Sequence, residues 1–186
     1  MRHVRPSLAL KFAMALMLMP LPSMAASKGQ AYAADRAEIE NLAARYLFAL
    51  DGRDADTYAS TFTKDGILVY AAGELQGREA IRDMVNSLRA RAEEAQKKDT
   101  SQLRPARGRH NITNLIVEVD GDKAIAKSYW TSVNNNNPER RAQISAYGHY
   151  EDQLIRVDGK WLFSRREIFN EQLDHRAAPG APSGSW

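Results

Sequence analysis

The sequence predicts an α+β fold, a cone-shaped α+β barrel in which three N-terminal helices pack on a curved, mostly antiparallel sheet. Two patterns predict it. Helical spacing of apolar residues fills the first half of the chain, and long alternating runs joined by hairpin turns fill the second. Length agrees: 186 residues suffice for one domain with a good core but not comfortably for two.

The first helix is read over 34–50, "ADRAEIENLAARYLFAL", with Ile39, Leu42, Ala43, Tyr46, Leu47 and Leu50 on one face. Asp35 is the expected N-cap, Glu38 completes a capping box, and Gly52 ends the helix in a left-handed conformation. A short second helix runs from about Asp54 to Phe62. "TKDG" reads as a turn, "ILVY" as a short strand and "GELQG" as another turn. From Gly77, Ile81, Met84, Val85 and Leu88 form the buried side of a third helix. The segment "KKDTSQLRPARGR" is nearly free of apolar residues and reads as a solvated basic loop, since no Gly-rich phosphate cradle accompanies it. Four strands follow: "HNITNLIVEVD", "KAIAKSYWTSV", "AQISAYGHYEDQLIRV" and "KWLFSRREIFNEQL", with turns at Asp120–Asp122 and at Asp158–Gly159. The asparagine run Asn134 to Asn137 is a polar loop.

The ends read differently. Residues 1–25 have a basic start, an apolar stretch too short to span a bilayer, and Ser23 and Ala25 flanking Met24 as a cleavage site. They are expected to be a signal peptide, with an uncleaved N-terminal anchor as the competing reading; cleavage implies export, to the periplasm in a Gram-negative bacterium, with no stable membrane insertion afterwards. The domain is read as 34–175 and the Pro/Gly/Ser-rich segment 176–186 as a disordered tail. The formal charge of +3 comes from Arg2, Arg5 and Lys11; without them 23 basic groups face 23 acidic ones. A balanced chain lacks the excess positive charge of a general nucleic-acid binder. With no cysteine, there is no disulfide and no thiolate nucleophile.

The runs "YLFALDGRDADTYASTFTKDGIL", "GELQGREAIRDMV", "RHNITNLIVEVDGDKAIAKSYW" and "YGHYEDQLIRVDGKWLFSRREI", with Gly148, Tyr150 and Asp152 as G-x-Y-x-D, resemble a SnoaL-like domain of the nuclear transport factor 2-like superfamily. The resemblance covers roughly 34–172. That superfamily hosts dehydratases, isomerases, dehydrochlorinases and plain binding domains, so the fold does not settle the activity. The functional pattern is similar to that of scytalone dehydratase, bile-acid dehydratase and lindane dehydrochlorinase. These enzymes pair an Asp near the end of the first helix with a His at the start of the strand after the third helix, and need no cofactor. Asp51 and His110 occupy those places, and Tyr46 matches a pocket-facing Tyr or Lys position. The resemblance also implies a possible homodimer through the convex face of the sheet. The 97–109 segment is longer than the pattern implies and reads as a loop or lid.

The residues themselves narrow the chemistry. His3 and His175 lie in the end segments, which leaves His110 and His149 to serve a folded site. Imidazole suits proton transfer near neutral pH, provided a partner fixes its tautomer. Asp51 follows an apolar run, "LFALD", at a helix C-terminus where the macrodipole disfavours an acid, and Asp54 is the better cap for the next helix. The competing reading of Asp51 is a plain turn residue; His149 reads chiefly as a sheet-surface residue. The Tyr46 hydroxyl is placed to polarise a substrate oxygen, with helix-face packing as the alternative. Tyr58, Tyr70 and Trp130 are core or pocket wall. Arg165 and Arg166 point to opposite faces, and Arg166 is the choice for a substrate carboxylate or carbonyl. Two histidines do not make a three-His metal site, and no G-x-S-x-G, P-loop or dinucleotide fingerprint occurs. No cofactor is therefore expected. The expectation is an enzyme of lyase or isomerase type acting on a small apolar molecule in a hydrophobic pocket. Its rival is a non-catalytic ligand-binding or dimerisation module.

Overall fold

A computed structural model describes residues 27–177. The expected signal peptide and most of the expected tail lie outside them. Element order is α1 (Lys28–Gly52), α2 (Ala55–Ser60), β1 (Phe62–Tyr70), β2 (Gly73–Gln76), α3 (Arg78–Lys98), β3 (Gly108–Asp120), β4 (Lys123–Asn134), β5 (Gln143–Val157) and β6 (Lys160–Asn170). The strands form one six-stranded sheet in the order β2-β1-β6-β5-β4-β3. The sheet is curved but does not close, and the helices cover its concave face. The α+β class and the three-helix, mostly antiparallel arrangement are as expected.

Several local expectations change. Helix α1 starts earlier, because Ser27 and Gln30 form the capping box. Asp35 and Glu38 are thereby freed for tertiary contacts: Asp35 accepts from Arg156 at 2.5 Å and from the Trp161 indole at 3.3 Å, and Glu38 accepts from the Trp161 backbone at 3.2 Å. The left-handed cap is Arg53 (φ 55°), not Gly52. Asp54 caps α2 as expected, accepting from Thr57 N–H. "TKDG" is not a turn but part of β1, where the register slips between Phe62 and Ile67. "GELQ" is the edge strand β2, paired antiparallel with β1. Pairing β1 parallel to β6 joins the two halves of the chain into one sheet.

The core lies between the apolar face of α1 and the concave residues of the sheet. Ile39, Leu42, Tyr46 and Leu47 meet Val117, Ala126, Leu154 and Phe163, with Ile81 and Val85 of α3 alongside. Gly148 is required by a close approach: a Cβ there would lie 2.0 Å from the Phe169 carbonyl oxygen. That carbonyl also accepts from the Trp130 indole at 3.1 Å, which ties β4 to the end of β6. Arg176, inside the expected tail, is held against β6 by donating to the Ile168 carbonyl at 2.6 Å.

One arrangement positions the site. Strand β3 is an edge, and an edge strand exposes unpaired backbone groups. Side chains of α1 satisfy part of that edge: Tyr32 donates to the Val117 carbonyl and Arg36 to the Leu115 carbonyl, each at 3.0 Å, and Asp51 accepts from His110 N–H. Helix and strand are thus laced together along their length, with Asp51 as the last stitch.

Candidate active site

Asp51 and His110 meet at that last stitch. The Asp51 carboxylate accepts from His110 N–H at 3.0 Å through Oδ2 and contacts the ring at Nδ1, 2.7 Å from Oδ1. A carboxylate only accepts, so Nδ1 carries a hydrogen, and in the neutral ring Nε2 then presents its lone pair. Nε2 makes no hydrogen bond among the described residues. The Asp51 side chain is 9% exposed and that of His110 25%, so the acid is sheltered while the base reaches open space. At the end of α1 the carboxylate opposes the helix dipole, and its two hydrogen bonds from His110 offset that cost.

The open space is a groove of about 720 Å³ between α1 and β3. Leu47, Phe48 and Asp51 line it from the helix, and Arg109, His110, Asn111 and Leu115 from the strand. Phe48 is 80% exposed, an aromatic ring at the groove rather than in the core.

A family model for the SnoaL-like domain matches residues 31–167, a span that contains both members of the pair. The chain belongs to that family. Solved structures agree on the nuclear transport factor 2-like fold. A protein of unknown function from Mycobacterium tuberculosis is 27% identical, with 85% of each chain covered and a TM-score of 0.67. A Catenulispora acidiphila protein in complex with S-DNPA is 26% identical over 75% of this chain and 96% of its own, at TM-score 0.61. A candidate scytalone dehydratase from Novosphingobium aromaticivorans shares the fold at 23% identity, covering 75% of this chain and 85% of its own, at TM-score 0.59. No curated protein matches the chain by sequence.

The other expected site residues of this SnoaL-like domain lie elsewhere. Tyr46 is fully buried and its oxygen accepts from the Tyr58 hydroxyl at 2.7 Å, so it does not line the groove. Tyr58 is buried with it, their ring centroids 4.5 Å apart. Arg166 is fully buried and bidentate to Asp152, both contacts at 2.7 Å. Its guanidinium carbon lies 4.2 Å from the Tyr46 and Tyr150 ring centroids and 4.0 Å from that of Phe163. The reason is packing: these side chains occupy the interior of the cone, where the sequence placed a pocket. Burial opposes the Arg166 charge, but Asp152 with Tyr46 and Tyr150 more than restores it and raises the group above its ordinary value. Tyr70 is half-buried against the core. Trp130 alone approaches the pair, its ring centroid 6.3 Å from that of His110, and it too is buried rather than groove-lining.

His149 is buried on the opposite face, stacked on Phe169 at 4.5 Å with Nδ1 3.1 Å from Glu171. No cluster of three metal-ligating side chains occurs among the described residues. The groove residues that sequence reasoning missed include Phe48, Arg109 and Asn111. Phe48 had a signal: it lies three residues before Asp51, on the same side of a helix.

Proposed function

We propose that the chain is an exported, periplasmic, cofactor-independent enzyme that abstracts a proton next to an electron-withdrawing group of a small, largely apolar molecule. The net reaction is loss of water or a double-bond shift. His110 Nε2 takes the proton, and Asp51 holds the ring in the Nδ1–H tautomer and stabilises the imidazolium that forms. The observation that carries this reading is the double contact of one carboxylate with both the backbone N–H and the ring of His110, beside an open groove. Tyr46 does not serve as the oxygen-polarising group here, since its oxygen is sealed in the core. Polar residues that line the groove, Arg36, Arg109, Asn111 and Asn114 among them, remain for that duty. The S-DNPA complex of the Catenulispora relative supports a small-molecule occupant for this fold. Ile125, Tyr129 and Tyr147, exposed on the sheet face away from the helices, support the homodimer.

The test is proton exchange. The purified chain is incubated with 2-tetralone and 2-decalone in deuterated buffer, and deuterium uptake at the α-carbons is followed by mass spectrometry. The wild type is expected to accelerate uptake, and a folded His110→Ala variant to lose the acceleration. Equal uptake by both proteins removes the proposed base. An unaltered hydrophobic ligand co-purifying with a chain that exchanges nothing favours the binding-module alternative.

A further inference from the structure

A second recess, of about 430 Å³, is lined by residues close in the chain to the pair. Arg53, two residues beyond Asp51, and Gly108, two before His110, both line it, and so does Ser132, the register partner of His110. Its lining brings three guanidinium groups, Arg53, Arg107 and Arg140, to one carboxylate, Asp99.

The charges are not matched. Asp99 is ion-paired with Arg140 and accepts from Ser101 N–H at 3.0 Å. The Ser101 contact, reinforced by Arg140, holds the Asp99 carboxyl below its ordinary range, so that pair is self-contained. The side chains of Arg53 and Arg107 have no hydrogen bond or ion pair among the described residues.

Both are nonetheless fixed at the backbone. Arg53 sits in the left-handed cap of α1, its N–H bonded to the Leu50 carbonyl at 3.0 Å, and its own carbonyl accepts from Arg89 at 3.0 and 2.7 Å. Arg107 donates its N–H to the Asn135 side chain at 2.6 Å and accepts from Asn135 N–H at 3.1 Å. The 97–109 segment is therefore anchored to the 134–140 loop at this point. Two arginines with fixed backbones and unpaired side chains line one recess, and an anion bound there would give both a charge-assisted partner.

From this we infer that the substrate of the proposed reaction carries a carboxylate, bound by Arg53 and Arg107, while its apolar body extends toward His110. The inference rests on the proton-transfer reading only for the direction in which the body extends. A carboxylate fits better than a phosphate. The last turns of α3, through Ala92, Ala95 and Gln96, line the recess, and the negative end of a helix disfavours a doubly charged group. The planar fork of arginine also matches the planar carboxylate.

Calorimetry on the full chain with 2-naphthoate, 2-naphthamide and inorganic phosphate tests it. Naphthoate is expected to bind about tenfold tighter than the matched amide, as one charge-assisted contact would give. The Arg53→Gln/Arg107→Gln variant and Arg107→Gln alone are expected to narrow that gap, while Arg104→Gln, in the same segment but outside the recess, keeps it. Equal affinity for acid and amide, no binding of the acid, or a gap unchanged in the double variant overturns the inference. Displacement of naphthoate by phosphate at lower concentration overturns the choice of carboxylate. The readout is binding alone. An intact acid preference without proton exchange overturns only the catalytic reading, and exchange without the preference overturns only this one.

Discussion

Replacing Asp51 by asparagine changes one atom and, by the geometry, moves one proton. The backbone N–H of His110 can only donate, so the oxygen of the new carboxamide must face it, where Oδ2 now lies at 3.0 Å. The carboxamide NH2 then faces Nδ1, where Oδ1 lies at 2.7 Å. A donor now opposes Nδ1, so Nδ1 must become the acceptor and the ring hydrogen moves to Nε2. In that tautomer the nitrogen proposed to abstract a proton already holds one. Stability changes little, because the hydrogen bonds survive and only the charge assistance is lost, a cost of about 1–2 kcal/mol. Catalysis changes greatly: a tautomer error of this kind in a carboxylate–histidine pair lowers turnover by about four orders of magnitude. Long-range proton–nitrogen NMR of the His110 ring reads the tautomer directly, urea unfolding reads the stability, and deuterium uptake reads the chemistry. A ring that keeps its Nδ1 hydrogen in Asp51→Asn refutes the tautomer argument. A switched ring with wild-type uptake refutes the proposal that Nε2 is the base.

The buried network makes two further predictions. Arg166→Met strands the Asp152 carboxylate, whose side chain is 2% exposed, and is expected to cost about 3–5 kcal/mol in urea unfolding. Arg166→Met/Asp152→Leu is expected to recover much of that loss, because no uncompensated charge remains; a double variant no better than the single one would show that the ring stacking, not the pair, carries the stability. Burial, acting first and most strongly, raises the hydroxyls of Tyr46, Tyr58 and Tyr150 above their ordinary value of 10. Their contribution to stability is full below the unfolded tyrosine pKa and is lost as pH rises toward the folded values, since only the unfolded chain releases those protons. Phenolate absorbance from these three is expected to appear only with alkaline unfolding; its appearance while the fold persists would place them in contact with water.

Periodicity made the helices and the last four strands legible, because each buries one face and its spacing repeats locally. The parallel pairing of β1 with β6 was not legible. It joins Ile67 to Arg165 and Leu68 to Arg166 across nearly the whole domain, and nothing near "TKDGILVY" announces a partner so distant. The start of α1 was missed for a different reason: Ser27 with Gln30 and Asp35 with Glu38 have equal claims as capping boxes, and only the tertiary contacts of Asp35 and Glu38 decide between them. The family resemblance pointed to the Asp51–His110 contact, and the small number of histidines free to serve a folded site agreed with it. Neither could place Tyr46 or Arg166, because an inward-facing aromatic or arginine has the same spacing whether it lines a cavity or fills one. Arg53 and Arg107 were illegible as a unit, since they lie in separate segments and each reads alone as loop charge.

The filled cone changes where the chemistry must sit. An empty cone would place a substrate between the helices and the middle of the sheet, among Tyr46, Tyr150 and Arg166. Here the Arg166–Asp152 pair and the rings around it occupy that space, with Arg166, Tyr46 and Phe163 fully buried. Opening that space means desolvating and separating an ion pair held by two 2.7 Å contacts, a penalty no apolar ligand would repay. Accessible volume near the pair lies instead at the edge, as a groove between α1 and β3 and a basic recess between the end of α3 and the start of β3. The plug and the pair are then parts of one arrangement. A rigid interior fixes α1 against the sheet, the fixed helix holds Asp51 against His110, and the free edge of β3 lets a substrate reach the ring without disturbing what positions it.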